Sequence, residues 1–345
     1  GTHTTTGTYT VVATNTTTGC TNNMTGSATI SIHAPLTTYT VTGGGSYCTG
    51  GTGVVVGLSG SATGVEYKAY RDGLPLIGSV SGTGSAISFG LQTIAGTYTV
   101  VATNTTTTCT LNMSGSAAVS VDALPTAFTV TGGGSYCTGG TGVAVGLSSS
   151  TSGVNYQLYR GTTAVGSPVA GTGSAISFGL QTTAGTYTAT ATTAASGCFN
   201  TMSGSVSVGI NSLPPAYTVS GGGSYCAGGS TGPNIYLSAC SGLTTYQLWL
   251  GATPVGSPVA ATGGSINFGS FTTVGTYSVT ATSTLTGCTN NMTGSATIST
   301  IALPTVYTVT GGGSYCTGGS GVAIGLSSSN TGISYQLYRG ATAIG

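Results

Sequence analysis

Cysteine is the residue type in this chain whose spacing can carry chemistry. Cys48, Cys137, Cys226 and Cys316 follow one another at intervals of 89, 89 and 90 residues. Cys20, Cys109, Cys198 and Cys288 keep the same three intervals. Two cysteines per period, among few other reactive groups, predict structural disulfides and an oxidising compartment. The leading expectation pairs them within one period: Cys48 with Cys109, Cys137 with Cys198, and Cys226 with Cys288. Cys20 and Cys316 then stay unpaired within residues 1–345. Closing a loop of about 60 residues in this way contributes roughly 4 kcal/mol by the chain-entropy argument. The rival pairing joins Cys20 to Cys48, Cys109 to Cys137, Cys198 to Cys226 and Cys288 to Cys316, stapling successive periods. Cys240 has no counterpart in the other periods. It reads as a small buried or loop residue, with an intermolecular bridge or a labile thiol as the sharper alternative.

Other chemistry is scarce. The acids are Glu66, Asp72 and Asp122, and none recurs from period to period. A carboxylate pair needs two acids in one site. A Ser-His-Asp arrangement needs a histidine, and His3 and His33 both lie before residue 36. No Cys-x-x-Cys occurs, which argues against zinc. The chain is therefore expected not to be an enzyme and to need no cofactor or metal. Glu66, Lys68, Arg71 and Asp72 fall in one period only and read as a solvated strand edge and turn. The Gly-Gly-Gly-Ser-Tyr-Cys runs lack a following helix and lysine, so they predict tight turns and not a phosphate cradle.

Charged residues make up 2% of the chain and the net charge is +1. Clustered Lys and Arg for binding nucleic acid are absent, which argues against a nucleic-acid partner. No run of about 18 apolar residues predicts a membrane helix. Asn-x-Ser/Thr occurs at Asn15, Asn23, Asn104, Asn112 and Asn291, a frequency that chance explains in so Thr-rich a chain. Tyr70, Tyr159, Trp249 and Tyr338 share one repeat position, out of phase with Tyr67, Tyr156, Tyr246 and Tyr335. They are candidate surface-contact aromatics, able to stack on sugars or pack on a neighbouring filament. The bland alternative is a strand packed on both sides.

These residues must be held by a repeated element. Thr42–Cys48 (Thr-Gly-Gly-Gly-Ser-Tyr-Cys) returns at Thr131–Cys137, nearly unchanged at Ser220–Cys226, and at Thr310–Cys316. A period of 89–90 residues matches one small β-sandwich. The predicted architecture is all-β: tandem immunoglobulin-like β-sandwich domains arranged as an extended array. Boundaries fall at Leu36, Leu124-Pro125, Leu213-Pro214 and Leu303-Pro304. They define whole modules over 36–124, 125–213 and 214–303. Residues 1–35 form the C-terminal part of a module and residues 304–345 the N-terminal part of another. Residue 345 falls in phase with Gly166, so the polypeptide is expected to continue in both directions.

In 125–213 the predicted strands are Phe128–Thr131, Val143–Ser148, Val154–Arg160, Ala164–Val169, Ala175–Phe178, Thr186–Thr192 and Val206–Ile210. Tyr98, Tyr187 and Tyr277 follow a glycine-marked turn, where immunoglobulin-like domains place a tyrosine corner. Tyr67, Tyr156 and Tyr246 are expected in the core.

The motifs Ser-Tyr-Cys-x-Gly-Gly, Val-x-Val-Gly-Leu-Ser, Tyr-Gln-Leu-Tyr-Arg, Ala-Gly-Thr-Tyr-Thr-Val and Gly-Cys-x-x-x-Met-x-Gly-Ser occur through the chain. Together they resemble the tandem immunoglobulin-like repeats of giant Bacteroidetes cell-surface adhesins of the gliding-motility type, exported by type IX secretion. The resemblance implies an extracellular, filamentous protein without catalytic residues in its modules. The expected role is a structural and adhesive segment of a long surface filament or stalk. Its expected partners are other copies, neighbouring filaments or surface polysaccharide. The alternatives are a spacer array in a secreted polysaccharide-degrading enzyme and a self-assembling fibre or sheath.

Overall fold

A computed structural model describes residues 1–345 and contains only strands, turns and loops. No helix is long and apolar enough to cross a membrane. By contact density the chain divides into two compact units, Gly1–Gly134 with Val143–Val208, and Ser135–Gly142 with Gly209–Gly345.

The module at 214–303 shows how the repeat folds. Its strands are β1 (Val219–Gly221), β2 (Gly223–Cys226), β3 (Asn234–Leu237), β4 (Thr244–Leu250), β5 (Thr253–Ala260), β6 (Ile266–Ser270), β7 (Gly275–Ser283), β8 (Thr289–Asn291) and β9 (Ala296–Ile301). One sheet has the order β1-β3-β6. The other runs β2-β9-β7-β4-β5, with β8 also paired to β7. All pairings are antiparallel except β2 with β9, which is parallel from Gly223↔Ile298 to Cys226↔Ile301.

The core follows from the period-2 pattern. Thr244, Tyr246 and Leu248 on β4, and Tyr277, Val279 and Ala281 on β7, are buried, while the residues between them are less covered. Ile235 and Leu237 of β3 and Val219 of β1 meet them from the other sheet. The module at 36–124 buries the corresponding set, Val41, Val56, Leu58, Tyr67, Ala69, Tyr98, Val100 and Ala102. Two opposed apolar faces closing on one another are what a sandwich requires.

The triple glycine has a specific task. The chain leaves one sheet after β1 and joins the other at β2, with only residue 222 between them. Gly221 has φ +92°, and a Cβ there would lie 2.2 Å from the Asn234 carbonyl oxygen. Gly222 has φ +73°, and its Cβ would lie 2.5 Å from the Thr297 carbonyl oxygen. No side chain fits so tight a crossover. The motif is the tight turn that its glycines predict, and it carries the chain from one sheet to the other.

The tyrosine corner forms in each whole module. Tyr98 donates to the Ile94 carbonyl at 2.8 Å, Tyr187 to Thr183 at 2.7 Å and Tyr277 to Thr273 at 2.9 Å. Tyr67, Tyr156 and Tyr246 fill the core as expected. Each also accepts, through its hydroxyl, a backbone N–H five residues earlier: Ala62, Thr151 and Ser241 respectively. Core tyrosines thus satisfy their polar ends without breaking the apolar packing.

Of the seven strands expected in 125–213, all occur, at Val130–Gly132, Val143–Leu147, Val154–Arg160, Thr163–Ala170, Ile176–Gln181, Gly185–Thr193 and Val206–Asn211. Two more, Gly134–Cys137 and Phe199–Thr201, were not read from the sequence. Both border a cysteine. In 36–124 the hairpin after Arg71 turns on Asp72-Gly73, with φ 50° and 83° and pairing of Arg71↔Leu74. Asp-Gly is the pair that a two-residue turn with positive φ at both positions selects.

Candidate functional site: a disulfide-stapled joint

Neither expected disulfide pattern forms. Cys48 is bonded to Cys198, with Cα atoms 5.5 Å apart, and Cys137 to Cys288, with Cα atoms 5.6 Å apart. Each bridge therefore ties one module to its successor, across 150 or 151 residues of sequence.

The first half of the staple is the strand after the triple glycine. Gly45–Cys48 runs parallel to the last strand of its module, with Asp122 opposite Cys48. The Thr49 N–H and hydroxyl both reach the Asp122 carbonyl, at 2.9 and 3.1 Å. The Gly51 N–H closes a turn onto the Cys48 carbonyl at 2.8 Å. Tyr47 adds a hydroxyl bond to the Thr93 carbonyl. Cys48 is thereby fixed where its module ends, just before the Ala123-Leu124-Pro125 linker.

The second half is a turn in the following module. Thr193 N–H bonds to the Cys198 carbonyl at 2.8 Å and Gly197 N–H to the Thr193 carbonyl at 2.9 Å. The Asn200 side-chain amide donates to the Pro125 carbonyl at 2.8 Å, holding this turn against the incoming linker. Cys198 is fully buried. An open cleft at this joint is lined by Thr49, Gly51, Leu124, Phe199 and Asn200. The second staple repeats the arrangement. Thr138 bonds to the Asn211 carbonyl, Gly140 to Cys137, Ser283 to Cys288, and Asn290 to the Pro214 carbonyl at 2.7 Å.

Strand geometry explains why both expected pairings fail. Gly96–Asn104 spans one module, with Gly96 opposite Val119 and Cys109 in the turn beyond Asn104. Cys48 lies three residues past Val119 in the other direction. At about 3.3 Å per residue the two thiols stand roughly 35 Å apart, at opposite ends of the sandwich. A disulfide needs Cα atoms within about 7 Å. Cys137, the rival partner of Cys109, is taken by Cys288. The end of one module meets the start of the next, and that is where a Cys48-type and a Cys198-type residue coincide. The parallel strand Gly45–Cys48 was the missing information, because it carries the cysteine to the far end.

Cys20, Cys109, Cys226 and Cys316 are free and exposed. Each keeps the local turn of its bonded counterparts. Asn104 N–H bonds to the Cys109 carbonyl and Asn15 N–H to Cys20, both at 2.9 Å. Gly229 N–H bonds to Cys226 at 3.0 Å and Gly319 N–H to Cys316 at 2.9 Å. Cys240 is free but buried, and belongs to the core of its module.

The aromatic row is divided. Tyr70, Tyr159 and Trp249 are half-buried, and Tyr338 is exposed. Trp249 sits between Pro254 and Ser278 on neighbouring strands, and its indole N–H is buried without a hydrogen-bond partner. Glu66 and Asp72 are exposed, while Lys68 and Arg71 are half-buried. The Thr97 N–H bonds to the Asp72 carboxylate at 2.8 Å, which ties the turn to the adjoining strand.

No protein-family model matches the chain, and no curated protein matches it. Among solved structures it is similar to immunoglobulin domains 1–4 of Sidekick-1, at 15% identity and a TM-score of 0.24 over 78% of this chain and 76% of that one. It is also similar to three N-terminal domains of the highly immunogenic outer capsid protein of bacteriophage RB49, at 12% identity and a TM-score of 0.30 over 76% and 99%. Fibronectin(III)-like modules of CbhA from Clostridium thermocellum cover 50% of this chain and 94% of their own, at 11% identity and a TM-score of 0.30. Likenesses this distant carry no functional argument. Strand order, the tyrosine corners and the two opposed sheets make this chain a tandem series of immunoglobulin-like β-sandwiches.

Proposed function

We propose that the chain is a load-bearing segment of a long extracellular filament or stalk that holds adhesive surface away from a cell. The observation that carries this reading is the pair of bridges Cys48–Cys198 and Cys137–Cys288. A bridge inside a module stabilises that module alone. A bridge from each module to the next resists separation and bending of the joint itself, a property of use to a protein that must transmit force. Structural disulfides also persist only in an oxidising setting, which supports an extracellular location. The near-absence of charge supports a surface insensitive to external salt and pH. The role is mechanical and not catalytic. On the motif resemblance alone, the source is a Bacteroidetes surface adhesin of the gliding-motility type, exported by type IX secretion. Its contacts would be other filaments or surface polysaccharide, many weak ones summing along the array.

Optical-trap pulling of the full chain tests the mechanical reading. The bridges interleave, so the shortest covalent path from Cys48 to Cys288 crosses both staples and runs through only the 61 residues between Cys198 and Cys137 (198 − 137) instead of 240 (288 − 48). Reduction is expected to lengthen the fully extended chain by roughly 600 Å. Oxidised and reduced chains that extend equally at the same force would show that the bridges bear no load, and the stalk reading would fail.

A further inference from the structure

We infer that the stapled joint between modules 36–124 and 125–213 binds a neutral polysaccharide, with the Phe199 ring as the platform on which one sugar residue stacks. The inference names a ligand for the adhesive surface proposed above, and it rests on that reading for the chain's meeting polysaccharide at all. Both walls of the site belong to whole modules, and the bridge that joins them is closed.

Phe199 departs from the repeat. The same position holds Thr110 one module earlier and Thr289 one module later. The Phe199 side chain is 70% exposed. Its backbone is nevertheless fixed. Phe199 pairs with Thr192 in the sheet, and its neighbour Cys198 is buried and bonded to Cys48. The ring is thus carried at the joint on a backbone that needs no further ordering when a ligand arrives.

The ring stands in a cleft of about 380 Å³. Small-molecule clefts run from about 300 to 1,000 Å³. The first module supplies one wall with Thr49 and Gly51, the linker supplies Leu124, and the second module supplies the other wall with Phe199, Asn200 and Thr201. Hydrogen-bonding capacity remains around the ring. Thr49 donates its hydroxyl proton to the Asp122 carbonyl and keeps its lone pairs. Asn200 donates its amide to the Pro125 carbonyl and keeps its own side-chain carbonyl oxygen. Thr201 is exposed beside them.

That combination selects the ligand by class. A pyranose has a face of C–H groups, which packs on an aromatic face, and a rim of hydroxyls, which both donate and accept. Phe199 meets the first. The Thr49 and Thr201 hydroxyls and the Asn200 carbonyl meet the second. No Lys, Arg, His, Asp or Glu side chain lines the cleft, so nothing there neutralises a uronate or a sulfate, and covering such a charge without a partner is costly. The cleft is open at the surface, so a sugar residue inside a longer chain enters it without a free end. A second protein copy fits less well. A stable protein contact covers about 800 Å² on each partner around an apolar centre, and the large apolar side chains of this cleft are Phe199 and Leu124 alone.

The test uses the full chain with both staples intact, on a microarray of neutral hexose, pentose and deoxyhexose oligosaccharides, with uronate and sulfated glycans as charged controls. Neutral glycans should be bound and charged ones passed over. Against the neutral glycan held most tightly, Phe199→Thr, which installs the residue of the two equivalent positions, should weaken binding about tenfold or more, while Phe199→Tyr should keep most of it. Free-thiol counts must show Cys48–Cys198 closed in both variants. Independently, in a chain with isotope-labelled phenylalanine, one of the six ring signals should shift on binding, and it should be the signal missing from Phe199→Thr. The optical-trap result depends on the staples and not on Phe199, so the stalk reading and this one can fail separately. No neutral glycan bound, a preference for charged glycans, or binding unchanged by Phe199→Thr would overturn the inference. Sedimentation showing that Phe199 instead joins two copies of the chain would overturn it too.

Discussion

Cys240 occupies in its module the place that Ser150 occupies one module earlier. Ser150 Oγ accepts the Thr172 N–H at 3.0 Å and donates to the Ser174 carbonyl at 2.6 Å. Cys240 Sγ accepts the equivalent Thr262 N–H at 3.3 Å. It is buried and braces its loop, as the bland expectation had it. Burial raises its pKa, but backbone hydrogen bonds from Gly264, Thr262 and Gly263 outweigh that and leave it lowered. Cys240→Ser is expected to leave thermal stability unchanged or slightly raised. Cys240→Ala removes the acceptor and should cost about 1 kcal/mol in a denaturant titration.

Tyr277 should make its module sensitive to alkali. Burial raises its hydroxyl pKa, the Thr273 bond lowers it, and Tyr225 nearby raises it again, with a net rise. A raised folded value means that the unfolded chain loses this proton first. The stabilisation is thus complete below about pH 10, the ordinary tyrosine value, and is lost as pH climbs through the folded one. Tyr277→Phe should cost about 1 kcal/mol at neutral pH and flatten the alkaline part of the stability curve. An alkaline limb of equal slope in both proteins would place the effect elsewhere.

Gly43 tests the sheet switch. Its φ is +86°, and a Cβ would lie 2.0 Å from the Val55 carbonyl oxygen. Gly43→Ala must displace the strand that carries Cys48. The expected outcome is a loss of more than about 2 kcal/mol and incomplete formation of Cys48–Cys198, read by counting free thiols.

Trp249→Tyr removes the unpartnered indole N–H and restores the residue found at Tyr70, Tyr159 and Tyr338. Stability measured by calorimetry should rise, by an amount up to about 1 kcal/mol.

Much of the fold was legible in the sequence because period and alternation report local physics. The seven expected strands came from β-branched and aromatic alternation, and the tyrosine corners from Gly-Thr-Tyr after a turn. Gly134–Cys137 escaped because Gly132, Gly133 and its own Gly134-Ser135 start look like a turn. Phe199–Thr201 escaped because three residues are too few to show alternation. Missing these two strands hid the joint as well. Cysteine spacing shows that a staple exists, but its partner depends on which end of the sandwich each strand reaches. That is a property of sheet topology, and identical spacing serves any of the three pairings.

The parallel pairing of Gly45–Cys48 with the closing strand of its own module has one more result. Val119↔Gly45 through Asp122↔Cys48 lie side by side, pointing the same way, near the entry and exit of the chain. Once the Cys48–Cys198 bridge is reduced, drawing the two ends of a module apart would slide these strands lengthwise against each other. Their hydrogen bonds must then yield together, where a hairpin pulled from its open end would peel one at a time. Each module carries its own shear clamp.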